Sequence, residues 1–202
     1  MKQIITMIIM QKMMMKDIMT RILPSNARLI PEDAKKVFTG EIFEIYQWQQ
    51  KMYDGSYQTF EMAKRNDTVQ IIGIIGDTVV VLDEQQPDGT ERFSSLPGGR
   101  IDASDRSELE AAKREMLEET GYSFKNWKLL NVRQPQRKIE WFIYTFVAWE
   151  PNNKTDQRLD HGENIIVKNL KWREFLSKAP SNTISENELH NYKDIDSFLN
   201  KA

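Results

Sequence analysis

The chain contains no cysteine among its 202 residues, which excludes disulfides, thiolate metal sites, iron–sulfur clusters and cysteine nucleophiles, and a reducing compartment fits that composition. Only two imidazoles, His161 and His190, are present, so neither a histidine-rich zinc site nor a Ser-His-Asp triad is expected. An excess of either charge is also missing. The 28 Lys and Arg residues face 30 Asp and Glu, for a net of −2, leaving no broad positive field to hold a nucleic-acid backbone. Long apolar runs are absent too: Ile4 to Met10 is interrupted by Gln11 and Lys12, too short a stretch to span a bilayer, and no small-residue cleavage site follows it. Neither nucleic acid nor membrane is therefore an expected partner, and a cytoplasmic location is expected. Whatever chemistry occurs must rest mainly on carboxylates.

What is present is globular, with 40% hydrophobic and 29% charged residues. Seven of the ten methionines fall within residues 1–20, and Leu23 to Lys35, with Pro24 and Pro31, reads as a linker, so residues 1–36 form a leader and linker. Two aromatic-rich runs, Glu41 to Tyr53 and Tyr57 to Lys64, joined through Asp54-Gly55, predict a β-hairpin, giving an N-terminal β element over residues 37–66. Residues 67–202 then read as one mixed α/β core. It opens with strands over Val69–Ile75 and Thr78–Asp83, turning at Gly76-Asp77. Another turn at Asp88-Gly89 leads through Arg92–Leu96 into Pro97-Gly98-Gly99.

The period changes at residues 107–120, where Leu109, Ala112 and Met116 recur at helical spacing. Ser107 with Glu110 predicts a capping box, and Gly121 predicts the helix end. Three more strands follow over Trp127–Val132, Ile139–Trp149 and Ile165–Trp172, the middle one apolar on both faces and so central, with a polar loop over Asn152–Glu163. Ser185 to Lys201 reads as a closing amphipathic helix, with Leu189, Tyr192, Ile195 and Leu199 on its stripe.

On the helix, Glu115, Glu118 and Glu119 stand three and four residues apart, so their carboxylates share a face away from the apolar stripe. They repel one another unless a positive charge lies between them. A hard divalent cation, Mg²⁺ or Mn²⁺, takes carboxylate and carbonyl oxygens and keeps room for substrate phosphates. Pro97-Gly98-Gly99 lets bare backbone approach, so a carbonyl of Gly98 or Gly99 could complete such a site, and Arg114 can hold a neighbouring carboxylate in place. The other reading of these acids is an exposed helix face that merely meets solvent. The glycine turn, the capping box, the Arg-Glu pair and the closing glycine occurring together favour the metal site.

That segment resembles the Nudix box, whose pattern is Gly, five residues, Glu, seven residues, then Arg-Glu-aliphatic-x-Glu-Glu-x-Gly-aliphatic. Arg114, Glu115, Met116, Glu118, Glu119 and Gly121 match in place, and Tyr122 departs mildly. Counting forward from Gly99 puts Asp105 at the first acid, whereas counting back from Arg114 puts Arg106 there, so the loop carries one extra residue and Asp105 is the substitute acid. The resemblance implies an α/β/α sandwich with a mixed sheet, here preceded by the N-terminal β-hairpin element. It further implies hydrolysis of a nucleoside diphosphate linked to another group, with Glu115, Glu118 and Glu119 binding metal and Gly98 assisting.

Residues from about Phe38 to Trp172 look like the ADP-ribose pyrophosphatase branch of that family. The likeness implies a homodimer through the N-terminal β element and a late-loop glutamate that assists the attacking water, for which Glu163 is the candidate base. Gly99 and Arg100 on the glycine turn, and Glu140, are candidate substrate contacts. Trp48, Tyr53 and Phe60 could stack a base or serve as core or dimer contacts. Gln86-Pro87 and Ser95 depart from the branch pattern. ADP-ribose or a related nucleotide sugar is the expected substrate. GDP-mannose, NADH or a non-standard nucleoside triphosphate, or a non-catalytic nucleotide sensor, stand as alternatives.

Overall fold

The computed structural model describes residues 21–178 and 189–201. The methionine-rich segment, residues 1–20, and residues 185–188, where the closing helix is expected to begin, lie outside the described residues. In chain order the elements are β1 (Lys35–Thr39), β2 (Glu44–Lys51), β3 (Tyr57–Lys64), β4 (Thr68–Ile75), β5 (Thr78–Gln85) and β6 (Glu91–Ser95). Then come α1 (Glu108–Thr120), β7 (Tyr122–Arg133), β8 (Ile139–Glu140), β9 (Ile143–Lys154), β10 (Asn164–Lys171), α2 (Trp172–Lys178) and α3 (Ile195–Leu199).

The main sheet has the order β10-β5-β4-β9-β7, with β6 also on β5. It is mixed, because β4 and β9 run parallel while the other pairs are antiparallel. Successive residues of its inner strands point to opposite faces, and both faces are apolar. On one, Val69, Ile71, Val80, Tyr144 and Phe146 pack against Ala111, Ala112 and Met116 of α1. On the other, Ile72, Ile74, Val79, Val81 and Val147 pack against Trp172 and Phe175 of α2 and Ile195 and Phe198 of α3. Complete burial of Phe175 and Phe198 contributes roughly 1.5–3 kcal/mol each, enough to hold short helices that would not persist alone. The result is the expected α/β/α sandwich. A second sheet, β1-β2-β3-β8, carries the N-terminal hairpin, and β8 joins β3 in parallel.

One edge of β5 is shared. β4 pairs with it over Gly73–Ile75, and β6 takes over at Leu82–Gln85. Beyond β6 the chain runs on beside β4, where Ile71 N–H donates to Pro97 O at 2.8 Å and Val69 N–H to Gly99 O at 2.9 Å. The glycine turn is thus fastened by main-chain bonds to the middle of the sheet.

Helix α1 starts where Ser107 Oγ accepts the Glu110 N–H at 3.1 Å and stops at Gly121, whose φ of 73° lets its N–H return to Leu117 O. The expected capping box forms only in half, because the Glu110 carboxylate accepts the N–H of Arg106 rather than that of Ser107. Other boundaries also move. Lys35–Thr39, which straddles the expected boundary between linker and N-terminal β element, is a short strand exposed along its whole length. The expected strand over Ile139–Trp149 divides into β8 and β9, because Trp141 and Phe142 turn the chain from one sheet to the other. β9 runs on to Lys154, shortening the polar loop, and Trp172 opens α2 rather than closing β10. Among the described residues the closing segment is helical at Leu189 and again over Ile195–Leu199, with a break between them, and Leu189 and Ile195 are buried as the stripe requires. Asp54-Gly55 lies in a five-residue loop between Lys51 and Tyr57 instead of a two-residue turn.

Candidate active site

The sheet's β4 edge and the N-terminal cap of α1 bring the glycine turn against the acidic face of the helix. Gly98 has a φ of +151°, and a Cβ there would fall 2.1 Å from Val69 O; at Gly99 a Cβ would fall 2.6–2.8 Å from the Glu115 carboxylate. Neither position can carry a side chain without displacement. Gly98 N–H donates to Glu119 Oε2 at 2.8 Å, tying turn to helix.

Arg114 organises the remaining acids. Its Nε and Nη2 donate to Asp105 Oδ1 and Oδ2 at 3.0 and 2.8 Å, and Nη1 donates to Glu115 Oε1 at 2.9 Å and Glu118 Oε2 at 3.0 Å. Nη2 also reaches Arg100 O at 2.9 Å. Asp105, which the counting from Gly99 singled out, is the anchor of this guanidinium, and the ion pair holds its carboxyl below the usual range.

The glutamates behave as buried like charges. Burial pushes Glu115 up to about 7; Arg114 opposes the shift and the charges of Glu118 and Glu163 add to it. Burial raises Glu119 well above the ordinary carboxylate value, against the Gly98 N–H and with repulsion from Glu115, Glu84 and Glu163. A cavity of about 160 Å³ is lined by Gly98, Gly99, Arg100, Asp102, Arg114, Glu115, Glu118, Glu119, Arg158, Asp160 and Glu163. Glu163 therefore joins the helix acids from a distant loop; its Oε2 accepts the Asp160 N–H at 2.9 Å.

Among the described residues no three carboxylate or imidazole groups make a ready coordination set; Arg114 and the Gly98 N–H each take glutamate oxygens. Glu115 Oε2, Glu118 Oε1 and Glu119 Oε1 accept no hydrogen bond among the described residues, and Gly98 O accepts none there, whereas Gly99 O is engaged by Val69 N–H. Four oxygens beside crowded, desolvated carboxylates suit a hard divalent cation, which would relieve that repulsion. The residues fit such an ion, and Gly98 rather than Gly99 has the freer carbonyl.

Not every expected residue meets here. Glu140 is 5% exposed and lies outside the pocket; it accepts from Arg21 Nη1 at 2.8 Å and from Ile30 N–H at 2.7 Å, with Lys64 Nζ at 3.3 Å. These contacts tie it to the segment before β1. Trp48 and Phe60 stack at 6.1 Å beside a separate cavity of about 400 Å³ on the second sheet, and Tyr53 is fully exposed. Sequence reasoning missed Arg158, Asp160 and Asp102 as lining residues and Glu84 as a charge acting on Glu119; only proximity to Glu163 or to the glycine turn marked the first three.

A second, larger cavity of about 670 Å³ shares the wall Gly98-Gly99-Arg100 with the acidic pocket. Four arginines and one glutamate line it: Arg65, Arg92, Arg100, Arg133 and Glu84. An acidic pocket thus opens beside a basic cleft.

Fold and site define a class: an α/β/α enzyme built on a glutamate-rich helix against a glycine turn, the composition of a phosphate-handling hydrolase. The family model of the NUDIX domain matches residues 64–186, and the chain belongs to the Nudix family. It is a Nudix pyrophosphohydrolase for a nucleotide-type substrate, in a family whose hydrolases generally need a divalent metal. Among solved structures, one described as the crystal structure of an ADP compounds hydrolase superposes with a TM-score of 0.64 at 17% identity, over 84% of this chain and 95% of that one. No curated protein matches the sequence. No helix among the described residues is long and apolar enough to cross a membrane.

Proposed function

We propose that the enzyme hydrolyses the diphosphate of a nucleoside diphosphate joined to another group, with ADP-ribose or a related nucleotide sugar as substrate and Mg²⁺ as the preferred cation, Mn²⁺ serving in its place. The observation that carries this reading is the gathering of Glu115, Glu118, Glu119 and Glu163 around a bare glycine turn, next to an arginine-lined cleft. Glu115, Glu118, Glu119 and the Gly98 carbonyl would hold the cation, which when bound offsets diphosphate charge and acidifies water. Arg114, fixed by Asp105, sets the carboxylates of Glu115 and Glu118. Glu163 Oε1 takes the proton of the attacking water, while Glu163 Oε2 stays on the Asp160 N–H. Gly99 lets the substrate approach without a side chain in the way, and Arg100, on the wall between the two cavities, meets its phosphates.

The fold neighbour's description as an ADP compounds hydrolase agrees with an adenine nucleotide. A homodimer through the N-terminal β element belongs to the same proposal, supported by exposed Val37, Phe38, Ile42 and Tyr57 on and beside that sheet. So does a cytoplasmic setting, which a cysteine-free chain suits.

The test incubates purified enzyme with nucleotide conjugates, first with Mg²⁺ and then with chelator. Nucleoside monophosphate released only with metal supports the reading, and release that is indifferent to chelator overturns it.

A further inference from the structure

The basic cleft has an arrangement that hydrolysis of a diphosphate does not use. Strand register places Arg100, Thr68, Ile143 and Arg133 side by side in one row across the sheet. Gln70, Thr145 and Asn131 form the next row on the same face, in register with one another. Further along that face the apolar floor under α2 and α3 begins at Ile72 and Val147. The sheet face is thus greasy where helices cover it and polar where the cleft opens.

That polar end is unsatisfied. Six buried side-chain polar atoms lack a hydrogen-bond partner among the described residues; three of them, Arg65 Nε, Gln70 Oε1 and Arg133 Nε, belong to residues lining the cleft, and two more, Asn131 Oδ1 and Thr145 Oγ1, lie in the strand row of Gln70. Native interiors leave few such atoms, and a cluster of them marks a place where a polar ligand belongs. Two are guanidinium nitrogens. Arg92 and Arg100 have carboxylate neighbours, Glu84 and Asp102, but among the described residues Arg65 and Arg133 have no carboxylate within 4.0 Å. Arg65 rests on the face of Trp141, 4.5 Å from its centroid, which fixes its plane without neutralising it.

Position separates Arg133 from the acidic pocket, while Arg65 stands between, close enough to Arg100 to feel its charge. Arg100 stands at the acidic pocket, and Arg133 begins three strand spacings away, about 14 Å of backbone. That exceeds the separation of two phosphorus atoms in one diphosphate.

We infer that the cleft lined by Thr68, Gln70 and Ile143 is a second anion subsite, in which Arg133 and Arg65 bind a phosphate monoester carried by the substrate in addition to its diphosphate. The substrate class is then a nucleoside diphosphate conjugate bearing a further phosphate on its sugar. The inference rests on the proposed diphosphate hydrolysis for its substrate, but the subsite itself can be tested without turnover.

Calorimetric titration in chelator, where no hydrolysis occurs, should show adenosine 2′,5′-bisphosphate or 3′,5′-bisphosphate binding about tenfold more tightly than adenosine 5′-monophosphate. Arg133→Gln should bring the better bisphosphate down to the monophosphate's affinity, and Arg133→Lys should restore part of the difference. In turnover, NADPH should be preferred to NADH, which differ by one such phosphate. Equal affinity for mono- and bisphosphates in the wild-type protein would overturn the inference. Hydrolysis without that preference also sinks it while leaving the proposed reaction standing; the preference without hydrolysis does the reverse.

Discussion

Asp105 and Arg114 meet fork to fork, two parallel hydrogen bonds of 3.0 and 2.8 Å that leave the third guanidinium nitrogen to grip Glu115 and Glu118. Planar bidentate pairs of this kind fix orientation as well as charge. Asp105→Ala frees Arg114 to rotate and should lower kcat about tenfold to a hundredfold, with a smaller change in KM, since the residue acts through its neighbours rather than on substrate. Asp105→Asn, which keeps one acceptor oxygen, should fall between. A wild-type kcat in Asp105→Ala would show that the pair is only structural.

Glu119→Gln preserves an oxygen for the Gly98 N–H and relieves a buried charge, so the fold should hold. Turnover should nevertheless drop at least about a hundredfold, because a carboxylate that holds the cation is gone. The same variant should lose most of the Mg²⁺-dependent rise in melting temperature expected of the wild type, as a ligand that binds only the native state stabilises it. Near-normal turnover at unchanged metal response would remove Glu119 from the site.

The two glycines of the turn should fail differently. Gly98→Ala places a methyl 2.1 Å from a main-chain oxygen at a φ of +151°, so it should destabilise the protein by about 2–4 kcal/mol, read by denaturant unfolding. Gly99→Ala meets a movable carboxylate instead, 2.6 Å away, and should lose activity well before stability. Equal stability losses in the two variants would contradict this division.

Acid should release the segment before β1. Burial pushes Glu140 up, but the Ile30 N–H, Arg21 and Lys64 outweigh it and hold the carboxyl below its ordinary value of 4.5. A carboxylate depressed in the folded state adds stability above its unfolded pKa and loses it as pH falls through the folded one. Stability should therefore decline below about pH 4.5 in wild type and decline less steeply in Glu140→Gln, which should also start lower at neutral pH by roughly 1–3 kcal/mol. Parallel pH profiles would refute the assignment.

The acidic helix was readable because its meaning is local: Ser107, Arg114, Glu115, Glu118, Glu119 and Gly121 act within four turns of one another. The hairpin and the β4–β5 turn were readable for the same reason. The ion pair of Glu140 was not legible because its partner Arg21 is 119 residues away, and no pattern around either residue points to the other. β1 is short and wholly exposed, so it lacks the apolar alternation that announces a strand. The break between β8 and β9 follows from a change of sheet, which leaves no mark in an apolar run. The unsatisfied row Gln70, Thr145, Asn131 exists only once three strands are in register, and the arginines of the cleft are scattered from position 65 to 133.

The main-chain rungs that join Pro97 and Gly99 to β4 separate two jobs that a loop usually shares. Because the turn is indexed by the sheet and α1 by its own cap, the stretch from Ile101 to Arg106 spans two independently fixed points, tied between them by Ile101 N–H on Asp67 O and by Asp105 on Arg114. The one residue by which that stretch exceeds the Nudix pattern is taken up between those anchors, and Asp105 still reaches Arg114.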